Sequence, residues 1–309
     1  MTHTPAILIM QPHLAPLTAV LEGAFTVHRF WEGPPVEAAA EIGAMVVAGE
    51  YPLDKALIER LPKLKLIACF TSGYDGIDVA WCQSRGLAVT HAPGVNHEDV
   101  ADHALGLILA ARRMIVSGDA QVRSGAWTAE TRTITPSLKD QRLGIVGLGA
   151  IGEAVARRAE TFRMSVTWWG PREKPAAWPR ADSLIALARD SDILVLACKA
   201  DETNRGLISG AVIDALGPQG LLVNVARGQL VDEDDLITAL TSGRLGQAAL
   251  DVFETEPTPA ARWSGVPNLV LTPHTGGATT AGVQGMLMLL FQNLQAAFAD
   301  QPLVTPVID

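Results

Sequence analysis

Cysteine is scarce in this chain. Cys69, Cys82 and Cys198 are odd in number and widely spaced, with no Cys-x-x-Cys pair, which excludes a disulfide framework and a thiolate metal site and fits a reducing compartment. Runs of Lys or Arg are missing too. With 24 Lys and Arg against 33 Asp and Glu, the formal net charge is −9; that argues against a nucleic-acid surface, while an anionic ligand still needs a local Arg or Lys. No apolar run, including Ala104 to Ala111, approaches the roughly 20 residues that span a bilayer. The opening Met-Thr-His-Thr-Pro-Ala-Ile-Leu-Ile-Met10 lacks a basic leader and a long apolar stretch, so no secretory signal is read. Internal repeats and low-complexity tracts are also absent. The expectation is a soluble, cytoplasmic protein with no metal, no nucleic acid and no membrane partner.

What is present is core-forming sequence. At 309 residues and 48% hydrophobic, the chain is long enough for two domains, because single cores usually divide beyond roughly 250 to 300 residues. Short apolar runs alternate with helical patterns from end to end, which predicts the α/β class: two doubly wound parallel-sheet domains. The first sheet is expected to use Ile7 to Met10, Thr26 to His28, Met45 to Val47, Leu66 to Phe70 and Ala88 to Thr90. The second begins at Leu143 and continues through Val166 to Trp169, Ile193 to Ala197, Leu221 to Val225, Ala248 to Val252 and Leu269 to Leu271. Between them, Asp99 to Arg113 reads as a buried helix that bridges the domains. After the last strand, Val283, Leu287, Leu290 and Leu294 mark an amphipathic helix expected to return to the first domain. Trp31 to Pro35 and Gly170 to Pro179 read as loops.

The most informative segment is Leu143-Gly-Ile-Val-Gly147-Leu148-Gly149-Ala150-Ile151-Gly152. An apolar strand runs through Gly-x-Gly-x-x-Gly into a helix marked by Ile151, Val155, Ala159 and Phe162, the pattern of a dinucleotide-pyrophosphate cradle. Gly147 permits the tight turn, Gly149 lets backbone approach the pyrophosphate, and Gly152 lets helix pack on strand; amides of the first helical turn face the phosphates.

The next strand ends at Trp169 and is followed by Gly170-Pro-Arg172-Glu-Lys174, with no carboxylate at its tip. An acid there would bond the ribose hydroxyls and repel a 2′-phosphate; Gly170 leaves room and Arg172 and Lys174 add positive charge. NADP(H) is therefore expected over NAD(H), which stays possible if this is a surface turn whose Glu173 bonds the ribose.

Polar residues and glycines cluster where the predicted strands end: Ser72-Gly73, Gly147-Leu-Gly149, Gly170, Cys198-Lys199, Ala226-Arg227, Asp251 and His274. Ligands bind at the carboxyl ends of strands in doubly wound sheets, so these residues are expected to line one interdomain crevice. Arg227 can grip a carboxylate with two parallel hydrogen bonds and polarise a ketone, or can pair with Asp232 or Glu233. His274, after Pro273, titrates near neutrality and can hand a proton to a ketone; Glu254 or Glu256 could stabilise its imidazolium.

Together these segments resemble the D-isomer-specific 2-hydroxyacid dehydrogenases. The matching motifs are Phe70 to Asp75, Val100-Ala-Asp102, Gly147 to Gly152, Asn224 to Asp232, Leu250 to Pro257 and Pro273 to Gly276, in the family's order over nearly the full chain. The resemblance implies a Rossmann nucleotide domain, 99–278, inserted into a flavodoxin-like substrate domain, 1–98 and 279–309. It implies Arg227, Glu256 and His274 as the catalytic set, with Ser72 and Gly73 amides on the substrate carboxylate. On the cofactor side it implies that Asp251 holds the nicotinamide carboxamide, that Val225 and Ala226 line its ring, that Cys198, Lys199 and Thr203 lie near the adenosine, and that His274 and Gly276 also bind the cofactor.

The implied reaction is reversible hydride transfer between the cofactor and C2 of a small 2-oxo or 2-hydroxy acid. Gly170 in place of an acid resembles the NADP-using glyoxylate, hydroxypyruvate and hydroxyphenylpyruvate reductases. A homodimer is also implied; Trp127 belongs either to its dimerisation segment or to a buried packing site. His97 either faces the substrate side chain or is a plain surface histidine. Relatives acting as NAD(H)-binding corepressors usually carry extra tails or clefts, and the end of this chain at Asp309 argues for the enzyme. Phosphite oxidation uses a similar triad.

Overall fold

The structure is a computed structural model that describes residues 4–35, 37–131 and 133–308. It divides into two compact units, 1–96 with 280–309 and 97–279.

In the first unit the chain runs β1 (Ala6–Ile9), α1 (Thr18–Leu21), β2 (Thr26–Arg29), β3 (Ile42–Val47), α2 (Lys55–Glu59), β4 (Leu66–Cys69), α3 (Val79–Ser84) and β5 (Ala88–Thr90). The strands form one all-parallel sheet in the order β2-β1-β3-β4-β5. Side chains alternate between faces along a strand, and here both faces are apolar. Leu8, Met45, Val47, Ile67 and Cys69 point into a core with Leu57, Ile58 and Val79. Ile7, Ile9, Ala44, Val46, Leu66 and Ala68 point into the opposite one. Asp54 and Asp78 start α2 and α3 by accepting the amides of Leu57 and Trp81.

The second unit contains α4 (His97–Arg112), α5 (Ile115–Ser124), β6 (Arg142–Val146), α6 (Ala150–Thr161), β7 (Ser165–Trp169), α7 (Leu184–Arg189) and β8 (Ile193–Leu196). It continues through α8 (Gly210–Leu216), β9 (Leu221–Asn224), α9 (Glu233–Ser242), β10 (Gln247–Leu250), α10 (Ala260–Trp263) and β11 (Leu269–Leu271). Its sheet is all-parallel in the order β11-β10-β9-β8-β6-β7. One face packs on α4 and α6 through Leu143, Ile145, Val166, Ile193, Val195 and Val223; the other carries Val146, Leu194, Leu196, Leu222 and Leu250 against α7, α8 and α9.

The last helix, α11 (Thr280–Phe298), belongs to the first unit, where Met286, Leu290, Leu294 and Ala297 close the core over β4. Of the expected stripe, Leu290 and Leu294 are buried and Leu287 packs against the same core, and one position departs. Val283 is exposed, and Asn293 takes a buried place by bonding Thr305 and the amides of Val304 and Thr305. The helix expected over Asp99 to Arg113 is α4, in the second unit and packed on α6. One other expectation is corrected. Phe162 caps α6 and is exposed rather than part of its buried face.

Candidate active site

Strand order in the second sheet reverses between β6 and β8: β7 lies on one side of β6, and the rest of the sheet extends from the other. Such a switch point opens a crevice at the carboxyl ends of the strands. The glycine loop occupies it. Gly147 sits at φ +91°, and a Cβ there would come within 2.6 Å of the Cys198 Cα at the end of β8. Gly152 is equally pinned, since its Cβ would lie 2.2 Å from the Gly147 carbonyl oxygen. Gly149 differs from both, because a Cβ there would meet nothing within 4 Å. It stands at the start of the twelve-residue α6, so open space faces the helix amides that would hold a pyrophosphate. These residues fit a dinucleotide.

The remaining sequence-derived positions follow along the same strand-end edge, about 24 Å from β7 to β11 at about 4.8 Å per strand. At the tip of β7, Gly170 is buried and its carbonyl accepts from Arg180 Nη2 at 2.8 Å. Arg180 also stacks over Trp168; this cation, ten residues past the glycine, was not singled out from sequence. Arg172 is exposed, and Lys174 forms a 2.8 Å ion pair with Glu153. Beyond β8, Cys198 is half-buried and burial pushes its thiol up to about 11. Lys199 and Thr203 are exposed, with Thr203 fixed by Asp201. Val225 and Ala226 are buried, each in a different core.

Arg227 emerges after β9 because the buried Asn224 folds the chain back on itself, accepting from the Ala226 amide and donating to the Arg227 carbonyl. Pairing of Arg227 with Asp232 or Glu233 is not what the structure shows. Asp232 caps α9 through the Asp235 amide, and Glu233 takes the Glu254 amide and Arg262. Gly228 is obligatory for packing, since its Cβ would fall 1.8 Å from the Phe253 carbonyl carbon.

Between the two acid candidates the geometry selects Glu256. Its Oε2 lies 2.6 Å from His274 Nδ1, and its Oε1 accepts the Phe253 amide at 2.9 Å. Burial pushes the Glu256 carboxyl up, but the bonds from His274 and Phe253 and the nearby Arg227 charge bring it below the usual range. His274 is held above its ordinary value by the Glu256 bond, against burial and the Arg227 charge. Its side chain keeps 36% of its surface exposed.

Asp251, 2% exposed at the end of β10, organises the loop carrying His274. Its carboxylate accepts from Thr272 Oγ1 at 2.5 Å, the Thr275 amide at 2.9 Å and the Gly276 amide at 2.8 Å. Its backbone carbonyl accepts from the His274 amide. Burial pushes the carboxyl up; bonds from His103, Thr272 and the two amides outweigh this and lower it to about 2. His103 and Thr272 are site components that sequence reading missed. The available signal was one histidine within the apolar Val100 to Ala111 pattern.

In the first unit, Ser72 Oγ donates to the Ala92 carbonyl at 2.6 Å, the Ser72 carbonyl meets His91 Nδ1 at 2.9 Å, and the Ser72-Gly73 turn lies past the end of β4. His97 is half-buried with Nε2 3.4 Å from Glu98. Trp127 is exposed, so it fills no packing site of its own chain. Among the described residues, no three His, Cys, Asp or Glu side chains are grouped to hold a metal ion, and no helix is long and apolar enough to cross a membrane.

The NAD-binding-domain model of the D-isomer specific 2-hydroxyacid dehydrogenases matches residues 105–276. The chain is 41% identical over 308 residues to hydroxyphenylpyruvate reductase of Plectranthus scutellarioides, covering 98% of each protein. The chain belongs to the D-isomer-specific 2-hydroxyacid dehydrogenase family. A glyoxylate/hydroxypyruvate reductase of Arabidopsis thaliana matches to the same extent, 41% over 98% of each. Among solved structures, 2-hydroxyacid dehydrogenase from Ketogulonicigenium vulgare Y25 superposes with a TM-score of 0.92 at 39% identity over 99% of each chain. An NADPH-dependent glyoxylate/hydroxypyruvate reductase from Sinorhizobium meliloti, in complex with NADP and malonate, gives 0.89 at 32% identity over 99% of this chain and 97% of that one. Family membership makes this an oxidoreductase with a nicotinamide-cofactor domain, and the similar proteins are reductases of small 2-oxo acids.

Proposed function

We propose that the protein reduces a small 2-oxo acid, of the glyoxylate, hydroxypyruvate or aryl pyruvate class, to the D-2-hydroxy acid with NADPH. The observation that carries this reading is the His274–Glu256 pair at 2.6 Å, on the same strand-end edge as Arg227 and the open face of Gly149. The bound cofactor supplies hydride to C2 of the substrate. The chain's own residues supply the rest. Arg227 neutralises the substrate carboxylate and polarises the C2 oxygen. With Nδ1 committed to Glu256, Nε2 of His274 is the ring nitrogen that gives its proton to the developing alkoxide; in oxidation the neutral ring takes it back. Asp251 Oδ2 is the acceptor proposed for the nicotinamide carboxamide. Ser72 and Gly73 remain the first unit's candidates for the substrate carboxylate.

NADPH is favoured over NADH by the lack of a carboxylate at Gly170 and by Arg172, Lys174 and Arg180 around the strand tip. The NADPH-dependent relative from Sinorhizobium meliloti supports the same preference. A homodimer is supported by the exposed Ile115, Val116, Val122, Trp127 and Ile134 on α5 and the segment after it; sedimentation showing a monomer at micromolar concentration would refute it. The test of function is cofactor oxidation with glyoxylate, hydroxypyruvate, pyruvate and phenylpyruvate, using Arg227→Ala as control. NADPH-dependent turnover lost in that variant supports the reading; cofactor binding without turnover of any of them overturns it.

A further inference from the structure

The loop that carries His274 is tied to a second imidazole, on a different element. His103, on α4, places Nε2 2.9 Å from Thr272 Oγ1 and 3.2 Å from Asp251 Oδ1. Proton accounting fixes its role. Thr272 has one hydroxyl proton, and Oγ1 stands 2.5 Å from a carboxylate oxygen that can only accept. The hydroxyl therefore donates to Asp251 and must itself accept from His103, so Nε2 carries a hydrogen whether or not the ring is charged.

Oδ1 of Asp251 is crowded by Thr272, His103 and the Thr275 amide, whereas Oδ2 receives the Gly276 amide. A carboxylate oxygen has room for about two donors, so Oδ2 retains accepting capacity. Rotating the carboxylate would release the amides of Thr275 and Gly276, which follow His274 directly. His103 opposes that rotation from a helix anchored in the core by Val100, Ala104, Leu107 and Ile108. Gly276 completes the arrangement: a Cβ there would lie 2.9 Å from Asp251 Oδ2 and 3.4 Å from His103 Cδ2.

Resting on the reading of function above, we propose that His103 is a positioning residue. Through Thr272 and Asp251 it aims Oδ2 at the cofactor carboxamide and fixes the loop bearing His274.

The test compares His103→Gln, which keeps an N–H donor, with His103→Phe, which keeps a flat ring without one, and Thr272→Val, which exchanges the hydroxyl for a methyl. NADPH and NADH Kd are measured by calorimetry in the absence of substrate, alongside kcat and both KM values. His103→Phe and Thr272→Val are each expected to weaken cofactor binding about tenfold, the scale of one lost hydrogen bond. The 2-oxo acid KM should stay nearly unchanged. His103→Gln should recover most of the affinity, and the His103→Phe/Thr272→Val double variant should be no worse than either single one. Unchanged Kd in both His103→Phe and Thr272→Val, or His103→Gln as impaired as His103→Phe, overturns the inference while wild-type turnover leaves the reading of function standing. A wild-type protein that binds neither cofactor overturns both. Should His103→Phe fail to fold, Thr272→Val alone decides.

Discussion

His274 Nδ1 and Glu256 Oε2 lie 2.6 Å apart, and each group holds the other in its charged form. The sign of the resulting pH dependence follows. In the proposed mechanism reduction requires imidazolium, and the His274 pKa is raised, so reductive kcat/KM should fall as pH rises through that raised value. Glu256→Gln keeps an acceptor for Nδ1 but removes the charge, so the same limb should move to lower pH. His274→Ala should lose about 10²–10⁴ in kcat, the usual scale of a general acid. A pH–rate profile in which Glu256→Gln leaves the alkaline limb in place would refute the pairing.

Arg227 is half-buried, held at the rim by Asn224. Arg227→Lys keeps the charge yet loses the planar fork that grips a carboxylate through two bonds. We expect kcat/KM for the 2-oxo acid to drop by about 10²–10³, with cofactor Kd unchanged. Steady-state kinetics beside calorimetry separate the two. Loss of cofactor affinity in place of substrate turnover would move Arg227 out of the substrate site.

The three glycines of the cradle should separate experimentally. Gly152→Ala and Gly147→Ala collide with backbone and should lower Tm, whereas Gly149→Ala projects into open space. Gly149→Ala should therefore fold with nearly the wild-type Tm and bind NADPH at least about tenfold more weakly, because its methyl occupies the approach of the pyrophosphate. Equal affinity for wild type and Gly149→Ala would remove the pyrophosphate from that position.

The central strands were legible because strands buried on both faces read as unbroken apolar runs; the edge strands β2, β7 and β11, which are only partly buried, were read from their β-branched and aromatic residues. Ends moved by a few residues at most; β3 begins earlier, at Ile42, since Gly43 interrupts the pattern. The positions of Arg227 and His274 were legible because each stands three residues past a strand end, whereas the preference for Glu256 over Glu254 came from the family resemblance and not from the spacing. Residues whose partners are distant in sequence were not legible. His103 meets Thr272 across 169 positions, and Arg112 meets Gln247 across 135. A polar residue near the end of an apolar helix pattern reads as solvated until those partners are placed beside it. Lys174 likewise reads as free positive charge, although Glu153 takes it up.

At the tip of β7, the cation predicted to matter most for NADPH is the one with the firmest placement. Arg180→Ala should weaken NADPH about tenfold relative to NADH, Arg172→Ala less, and Lys174→Ala least because Glu153 already pairs with it. Fluorescence titration with both cofactors gives the ratios. Tighter wild-type binding of NADH than NADPH would overturn the preference itself.

Arg112 is 5% exposed at the end of α4 and donates to the carbonyls of Asp192 and Gln219 and to Gln247 Oε1. Gln247 in turn donates to the Ala111 carbonyl. These bonds tie the helix to the amino-terminal ends of β8, β9 and β10, the edge opposite the site. Burial lowers the guanidinium pKa, yet an arginine stays charged at any working pH. Arg112→Met fits the aliphatic path and leaves the Gln219 carbonyl and Gln247 Oε1 without this donor, while the Asp192 carbonyl keeps the Leu221 amide. Each unsatisfied buried acceptor costs about 1–3 kcal/mol, offset in part because the charge no longer has to be desolvated. The expected net loss is about 2 kcal/mol in chemical denaturation, with cofactor Kd nearly unchanged since the strand-end edge is untouched. A variant as stable as wild type would show that the desolvation cost had already cancelled those bonds.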